Sequence, residues 1–456
     1  MATAESAITG KNYQDTFHAN HENVMTEEST KDTFHANPEP AKTLESTQDT
    51  SQPNVEPSNT GETSQDTSHS TSNGAEPATM KQNPEPTKTE TSCQITAQTN
   101  SEPAMKNSKQ DIFHGWLATD ATSPLKHQAF TPKTWEETDI DIRVTHCGLC
   151  ASDLHTMRSG WGETLYPVCC GHEIVGTAIR VGIKAREGIR VGDRVGVGPQ
   201  GYNCHRGDCE CCVSGRENYC PRRIGTYGER YPSGAGISYG GFADFTRHNS
   251  NSVFNIPSGL DSPSAAVMLC AGATVYEPLK EHGAATPGRK VGVIGLGGLG
   301  HLGVLFAKAM GCQHVVAVSR SEAKCSDAFK LGADAYIATA DEEGWEERHA
   351  ASLDLIICTV SDPWMPLKEY LSLLRPKGTF CQVGIPEGPL PQLDTMALVL
   401  NGTSVCFSDS ASPGNVREML GLAAEKGVRA WTETRPMGEV NGVVKEMEGG
   451  GRGLGL

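Results

Sequence analysis

Two short stretches of this chain are best suited to chemistry: Cys147-Gly-Leu-Cys150-Ala-Ser152-Asp-Leu-His155 and, further on, Gly171-His172-Glu173. A thiol (Cys150) and an imidazole (His172), each in a Gly-bounded setting, begin a zinc site. Catalytic zinc commonly takes three protein ligands of this kind and keeps a fourth position open. A hydroxyl and a second imidazole, Ser152 and His155, follow Cys150 at +2 and +5. Their own spacing of three puts them on one face of a helix that starts after Cys150. A third ligand must come from elsewhere, and Cys270, in Met268-Leu-Cys270-Ala-Gly272-Ala-Thr274, is the best candidate. Cys169 and Cys170 compete because they adjoin His172, but ligands so close in sequence would strain a tetrahedral site. They read as packing residues, as does Cys147. Glu173 could orient His172 or bind the metal when substrate is absent.

A second thiol cluster runs Cys204-His-Arg-Gly-Asp-Cys209-Glu-Cys211-Cys212 and ends at Cys220. Four thiolates closing a tetrahedron make a structural site with no open position. The natural set is Cys204, Cys209, Cys212 and Cys220, with Cys211 spare. The third constellation, Gly295-Leu-Gly297-Gly298-Leu299-Gly300, follows an apolar strand and opens a helix, the context a dinucleotide-binding turn requires. Its first Gly makes the turn, its second admits the pyrophosphate, and its third allows close helix–strand packing, with the helix N-terminus facing the phosphates. The next strand ends in Ser319-Arg320-Ser-Glu-Ala-Lys324, where an NAD site would carry a carboxylate. A small hydroxyl with Arg320 and Lys324 nearby suits the 2′-phosphate of NADP. The plainer reading of those two cations is a solvated helix start.

The elements that must position these residues fall into two patterns. Residues 139–146 alternate as a half-buried strand, and 174–181 and 193–197 follow as further short, Gly-broken strands. From about Ser262 apolar strands (290–295, 314–319, 353–358, 379–383) alternate with helical stretches (299–310, one ending near Gly332, 366–374), which predicts a parallel sheet with crossover helices. The fold class is therefore α/β, a doubly wound parallel sheet beside a β-rich domain. Residues 1–110 are rich in Ser, Thr, Asn, Gln, Glu and Pro, with irregular repeats such as Asp15-Thr-Phe-His-Ala-Asn20 and Asp32-Thr-Phe-His-Ala-Asn37. Such a segment cannot bury enough apolar surface to offset chain entropy and reads as a disordered extension.

Composition sets the remaining bounds. Residues 1–108 carry 6 Lys against 16 Asp plus Glu, a balance of −10 in a chain of net charge −16. That acidity argues against nucleic acid or an anionic membrane as a partner. Sixteen cysteines in metal-like spacings, with no apolar leader near Met1, point to a reducing, cytoplasmic compartment.

From Phe113 to about Met447 the chain resembles the zinc-dependent medium-chain dehydrogenases, most closely their cinnamyl alcohol dehydrogenase branch with its fungal NADP-dependent members. CGLCASDLH at 147–155, SGWG at 159–162, GHEIVG at 171–176, LCAGATVY at 269–276, GLGGLG at 295–300 and SRSEAK at 319–324 carry the resemblance. It implies a GroES-like catalytic domain over 111–270, completed by 406–456, and a Rossmann domain over 271–405. It further implies catalytic zinc on Cys150, His172 and Cys270 with Glu173 nearby, and a second, structural zinc. Ser152 and His155 would form a proton relay, Thr274 would lie near the nicotinamide, and Trp161 would line the substrate pocket. The implied activity is NADP(H)-dependent, reversible reduction of aromatic or medium-chain aliphatic aldehydes, by a homodimer. An alternative is a relative with little or no turnover that binds zinc and NADPH as a binding or regulatory protein. Two departures stand out. Counting back from Cys220 puts Arg206 where the family's first structural Cys falls, so Cys204 must serve from a loop two residues longer. The family's terminal strand is also replaced by Glu448-Gly-Gly-Gly-Arg-Gly-Leu-Gly-Leu456.

Overall fold

The computed structural model describes residues 111–186 and 188–449. The expected extension, residues 1–110, and the Gly-rich end, residues 450–456, lie outside them.

The β-rich half begins with a hairpin of β1 (Phe113–Leu117) and β2 (Lys126–Phe130), then β3 (Asp139–Gly148) and the short helix α1 (Ala151–Met157). β4 (Glu173–Val181), β5 (Arg194–Val197), β6 (Gln200–Tyr202), the single-turn α2 (Glu210–Val213), β7 (Ile224–Gly225), β8 (Phe245–Asn249) and β9 (Val253–Asn255) follow. Five of these strands form an antiparallel sheet in the order β8-β3-β4-β5-β9. One face of that sheet is apolar, with Ile140, Ile142, Ile174, Ala178, Val195, Val197 and Val253 buried together. The alternation read over 139–146 is this face, because successive side chains of a strand point to opposite sides.

A long helical connector links the two halves: α3 (Ser262–Val267), a π-helical turn at Met268–Gly272, and α4 (Ala273–Glu281). Asp261 caps its start by accepting from the Ser264 amide at 2.8 Å, and Pro263 sits in the first turn, where no amide partner is needed. The parallel half then runs β10 (Lys290–Ile294), α5 (Gly298–Ala309), β11 (His314–Ser319), α6 (Cys325–Lys330), β12 (Ala335–Ala338), α7 (Trp345–Arg348), β13 (Leu353–Cys358), α8 (Leu367–Ser372), β14 (Leu374–Gln382), α9 (Thr395–Asn401) and β15 (Ser404–Phe407). Its strand order, β12-β11-β10-β13-β14-β15, is that of a Rossmann sheet, which reverses between β10 and β13. Continuous apolar runs are required because both faces are covered. Val291, Val293, Val315, Ala317, Leu355 and Ile357 face one core, while Ile294, Val316, Val318, Ile356 and Cys358 face the other.

The last two helices divide their packing. α10 (Pro413–Lys426) buries Val416, Met419, Leu420 and Ala423 in the core that contains α4 and α5. α11 (Val440–Glu448) buries Val440 and Val444 with Phe113, Leu117 and Phe242 of the β-rich half. The sequence boundaries at 270/271 and 405/406 fall inside the connector and inside β15. Both elements carry across them, since hydrogen bonding there is continuous.

Candidate active site

Cys150 is the N-cap of α1, and Asp153 is the residue that fixes it. The fully buried Asp153 carboxylate accepts from the Cys150 amide at 2.8 Å and from the Gly171 amide at 2.9 Å. One side chain thus ties the loop carrying Cys150 to the loop carrying His172, whose Nδ1 lies 3.7 Å from the same carboxylate. Gly171 has φ +95°, and a Cβ there would come within 2.7 Å of Cys147 Sγ. Only Gly meets both conditions, and Cys147 accordingly packs behind the site. Cys169 and Cys170 are buried among Phe113, Val168 and Phe242. Cys270 sits in the π-helical turn of the connector, a widened turn of the kind that recurs at functional sites.

These elements bring Cys150, His172, Glu173 and Cys270 together, their ligand atoms all within 4.8 Å of one another. His172, Glu173 and Cys270 are buried, while Cys150 opens onto a cleft of about 480 Å³. His172 stacks on Tyr227 and hydrogen-bonds its Oη through Nδ1 at 3.0 Å. His172 Nε2 is buried with no protein partner. With Nδ1–H donating to Tyr227, the Nε2 lone pair faces the two sulfurs, the tautomer a metal-binding imidazole needs. The two thiols titrate far apart. The hydrogen bond from Cys270 pulls Cys150 well down, and its counterpart pushes Cys270 well up. Burial, then the Cys150 charge, pushes Glu173 well up. So much negative charge cannot share a buried pocket unaided, and a dication relieves the conflict. The donor set and its orphaned nitrogen fit zinc.

Ser152, His155, Trp161, Thr274 and Leu299 line the same cleft. Ser152 Oγ is 3.5 Å from Cys150 Sγ. His155 stacks on Trp161, ring centroids 4.4 Å apart, and its Nδ1 is 2.6 Å from Glu387 Oε1. Glu387 follows β14, so a carboxylate from the parallel half reaches the helix of the other half.

In the Gly-rich turn, Gly295 has φ +90°, and a Cβ on Gly300 would overlap the Gly295 carbonyl. Thr359 Oγ1 braces the turn through the Ile294 and Gly295 carbonyls, at 2.9 and 2.8 Å. α5 starts at Gly298, with Gly297 as its N-cap. Ser319 ends β11, Arg320 is exposed, and Lys324 Nζ donates to the Leu296 carbonyl at 2.7 Å. Burial, and after it the nearby Arg320 charge, lowers the Lys324 pKa. Two crowded cations beside a Gly-rich turn fit an anion as bulky as a 2′-phosphate.

The second cluster gathers Cys204, Cys209, Cys212 and Cys220, with Sγ separations of 3.7 Å (204–212), 3.9 Å (209–220) and 3.4 Å (204–220). Sulfurs on a tetrahedral zinc at about 2.3 Å lie about 3.8 Å apart, so these positions suit the ion. The longer loop turns outward, pairing Arg206 with Asp208 at the surface, and leaves Cys204 in the cluster.

Asp153, Tyr227, Thr359 and Glu387 carry no assignment in the sequence reading. Only Asp153 has a local signal, an acidic residue in the first turn of a helix whose N-cap is a candidate ligand. The others arrive from distant segments.

Residues 298–425 match the family of zinc-binding dehydrogenases, and residues 136–258 match the alcohol dehydrogenase GroES-like domain. The chain is 43% identical over 336 residues to a probable cinnamyl alcohol dehydrogenase of Oryza sativa, covering 73% of this chain and 91% of that protein. It is 38% identical over 328 residues to an NADP-dependent alcohol dehydrogenase of Saccharomyces cerevisiae, covering 71% and 89%. A solved cinnamyl alcohol dehydrogenase from Sorghum bicolor superposes with a TM-score of 0.70 at 38% identity, over 74% of this chain and 95% of that one. With both family models matched and such relatives covered almost end to end, the chain belongs to the zinc-dependent medium-chain dehydrogenases, in their cinnamyl alcohol dehydrogenase-like branch.

Proposed function

We propose that the cleft carries out NADP(H)-dependent interconversion of aldehydes and primary alcohols, with aromatic or medium-chain aliphatic substrates. One observation carries the reading: the buried Cys150–His172–Cys270 cluster opens onto the cleft lined by Ser152, Thr274 and Leu299. In it Cys150, His172 and Cys270 would hold a catalytic zinc, with Glu173 as an alternate donor. Bound zinc supplies Lewis acidity at the carbonyl oxygen, and NADPH supplies hydride. The protein's own part is orientation and proton transfer. Trp161 lines the cleft and stacks on His155, limiting the space for the substrate's apolar end. Ser152 gives the proton to the nascent alkoxide, and His155, beside Glu387, exchanges it with solvent. Ser319, Arg320 and Lys324 select the 2′-phosphate, while Gly295, Gly297, Gly298, Leu299 and Gly300 admit the pyrophosphate. Cys204, Cys209, Cys212 and Cys220 would hold a structural zinc.

Residues 111–270 with the terminal segment form the catalytic domain in this reading, and 271–405 the cofactor domain. A homodimer is supported by the outer edge of β15. Phe407 is 64% exposed there, and on α9 Met396, Val399 and Leu400 are 65%, 68% and 80% exposed, an apolar patch beside a strand whose outer edge has no partner among the described residues. A cytoplasmic setting is supported by the thiols, all free among the described residues. Among those residues no helix is long and apolar enough to cross a membrane.

The test is consumption of NADPH with cinnamaldehyde, with NADH as control. Turnover with NADPH and little with NADH is expected. Zinc and NADPH binding without turnover on any aldehyde would refute the reading and favour the binding protein.

A further inference from the structure

A third group of donors lies outside the cleft and outside the four-cysteine cluster. His282 is the C-cap of α4, Cys381 is in β14 and Cys406 in β15. The two cysteines are register partners across the parallel pair, so both side chains leave the sheet on the same face. That face packs against the layer containing α4. His282 Nε2 is 3.3 Å from Cys406 Sγ, and all three ligand atoms lie within 4.8 Å of one another. Cys381 is buried, while Cys406 and His282 are half-buried.

From this geometry we infer that His282, Cys381 and Cys406 form a third metal site, taking a tetrahedral d10 cation, Zn²⁺. The donor types are those of the other two clusters. Zinc with sulfur at about 2.3 Å and nitrogen at about 2.05 Å needs a sulfur–nitrogen separation of about 3.6 Å, close to the separation here. Two thiolates and an imidazole are soft donors that favour zinc over magnesium or calcium. They also neutralise its charge, which a half-buried site requires. Each donor is held by an element of its own: strand register sets the two sulfurs, and the helix end sets the imidazole. Arg289 Nη1 donates to the His282 carbonyl and holds that helix end in place. Because Cys406 and His282 are half-buried, water can complete the coordination, and the neighbouring Glu281 is exposed. The bound ion would fasten the edge strand β15 and its neighbour to the end of the connector. The simpler account is a thiol–imidazole hydrogen bond within the packing, and it makes the opposite prediction for metal content.

The full chain is loaded with Zn²⁺, washed by gel filtration, and its zinc measured by elemental analysis beside Cys406→Ser and His282→Gln. Each variant is expected to hold one zinc fewer per chain than the wild type, with aldehyde reduction unchanged. Equal zinc in wild type and variants overturns the inference. A measurement on the unaltered chain guards against a misfolded variant. Carbamidomethylation of Cys406, followed by mass spectrometry during zinc titration, is expected to slow by about tenfold or more, as for a thiolate withdrawn into a metal bond. An unchanged labelling rate also overturns the inference.

Discussion

Asp153→Asn is the most informative single change. The carboxylate uses its two oxygens on two different amides, those of Cys150 and Gly171, at 2.8 and 2.9 Å. An asparagine has one oxygen, so one buried N–H must face an NH₂ group. An unsatisfied buried donor costs about 1–3 kcal/mol, and the surviving bond loses its charge assistance. At about 2–4 °C per kcal/mol for a large domain, a melting temperature lower by roughly 2–12 °C is expected. The local effect should be larger than the global one, because the two amides belong to the loops presenting Cys150 and His172. Loss of a partner that orients ligands weakens metal retention by about 10–100-fold. Calorimetry gives the first number, and the rate of zinc transfer to a chromogenic chelator gives the second. A variant with an unchanged melting temperature and unchanged zinc release would refute the view that Asp153 joins the two loops.

Gly148→Ala should be equally damaging by the opposite route, since a Cβ there would overlap the buried Glu173 carboxylate. Overpacking of this kind costs about 1–3 kcal/mol, readable in a urea melt. Arg320→Ala with Lys324→Ala should raise the KM for NADPH by about tenfold or more, charged hydrogen bonds being worth about 1.5–3 kcal/mol, and leave the KM for NADH unchanged. Glu387→Gln should lower kcat by no more than about fivefold, because an exposed ion pair is worth at most about 1 kcal/mol; a larger loss would mean the carboxylate does more than position His155. Acid sensitivity has an identifiable source in His248, whose burial, reinforced by the Lys133 charge, lowers its pKa from 6.5 to about 3. The unfolded chain takes up that proton below the ordinary value and the folded chain does not, so stability is lost as pH falls from 6.5 toward about 3. The slope due to this one residue is up to about 1.4 kcal/mol per pH unit, and His248→Gln should remove it from melts compared between about pH 5 and about pH 7.

What the sequence made legible was local. The parallel strands announced themselves as apolar runs, because a sheet covered on both faces leaves no polar position to break them. Cys150, His172, the Gly-rich turn and the cysteine cluster are each encoded within a few residues, and the structure gathers Cys150 with His172 and the four cysteines with one another. Cys270 was harder: one Cys in an apolar run is ordinarily core, and only the widened helical turn reveals why this one faces the cluster. Tyr227, Thr359 and Glu387 were not legible at all. Each acts on a residue far away in the chain, through contacts that exist only once the halves have packed. The same holds for His282, Cys381 and Cys406, which are ordinary residues in sequence and neighbours only through strand register and a helix end.

The distribution of donors along the chain has a consequence for how the protein is made. Cys204, Cys209, Cys212 and Cys220 lie within seventeen residues and leave the ribosome almost together. Cys150 and His172 emerge before them, but their partner Cys270 lies in the connector, nearly a hundred residues after His172. At about 5–20 residues per second, roughly 5–20 s of synthesis separates the two events. During that interval Cys150 and His172 are present without Cys270, the third donor of the set proposed above. On the ligand sets proposed above, chain order completes the four-cysteine set first, and the set at the cleft only once the connector has been made.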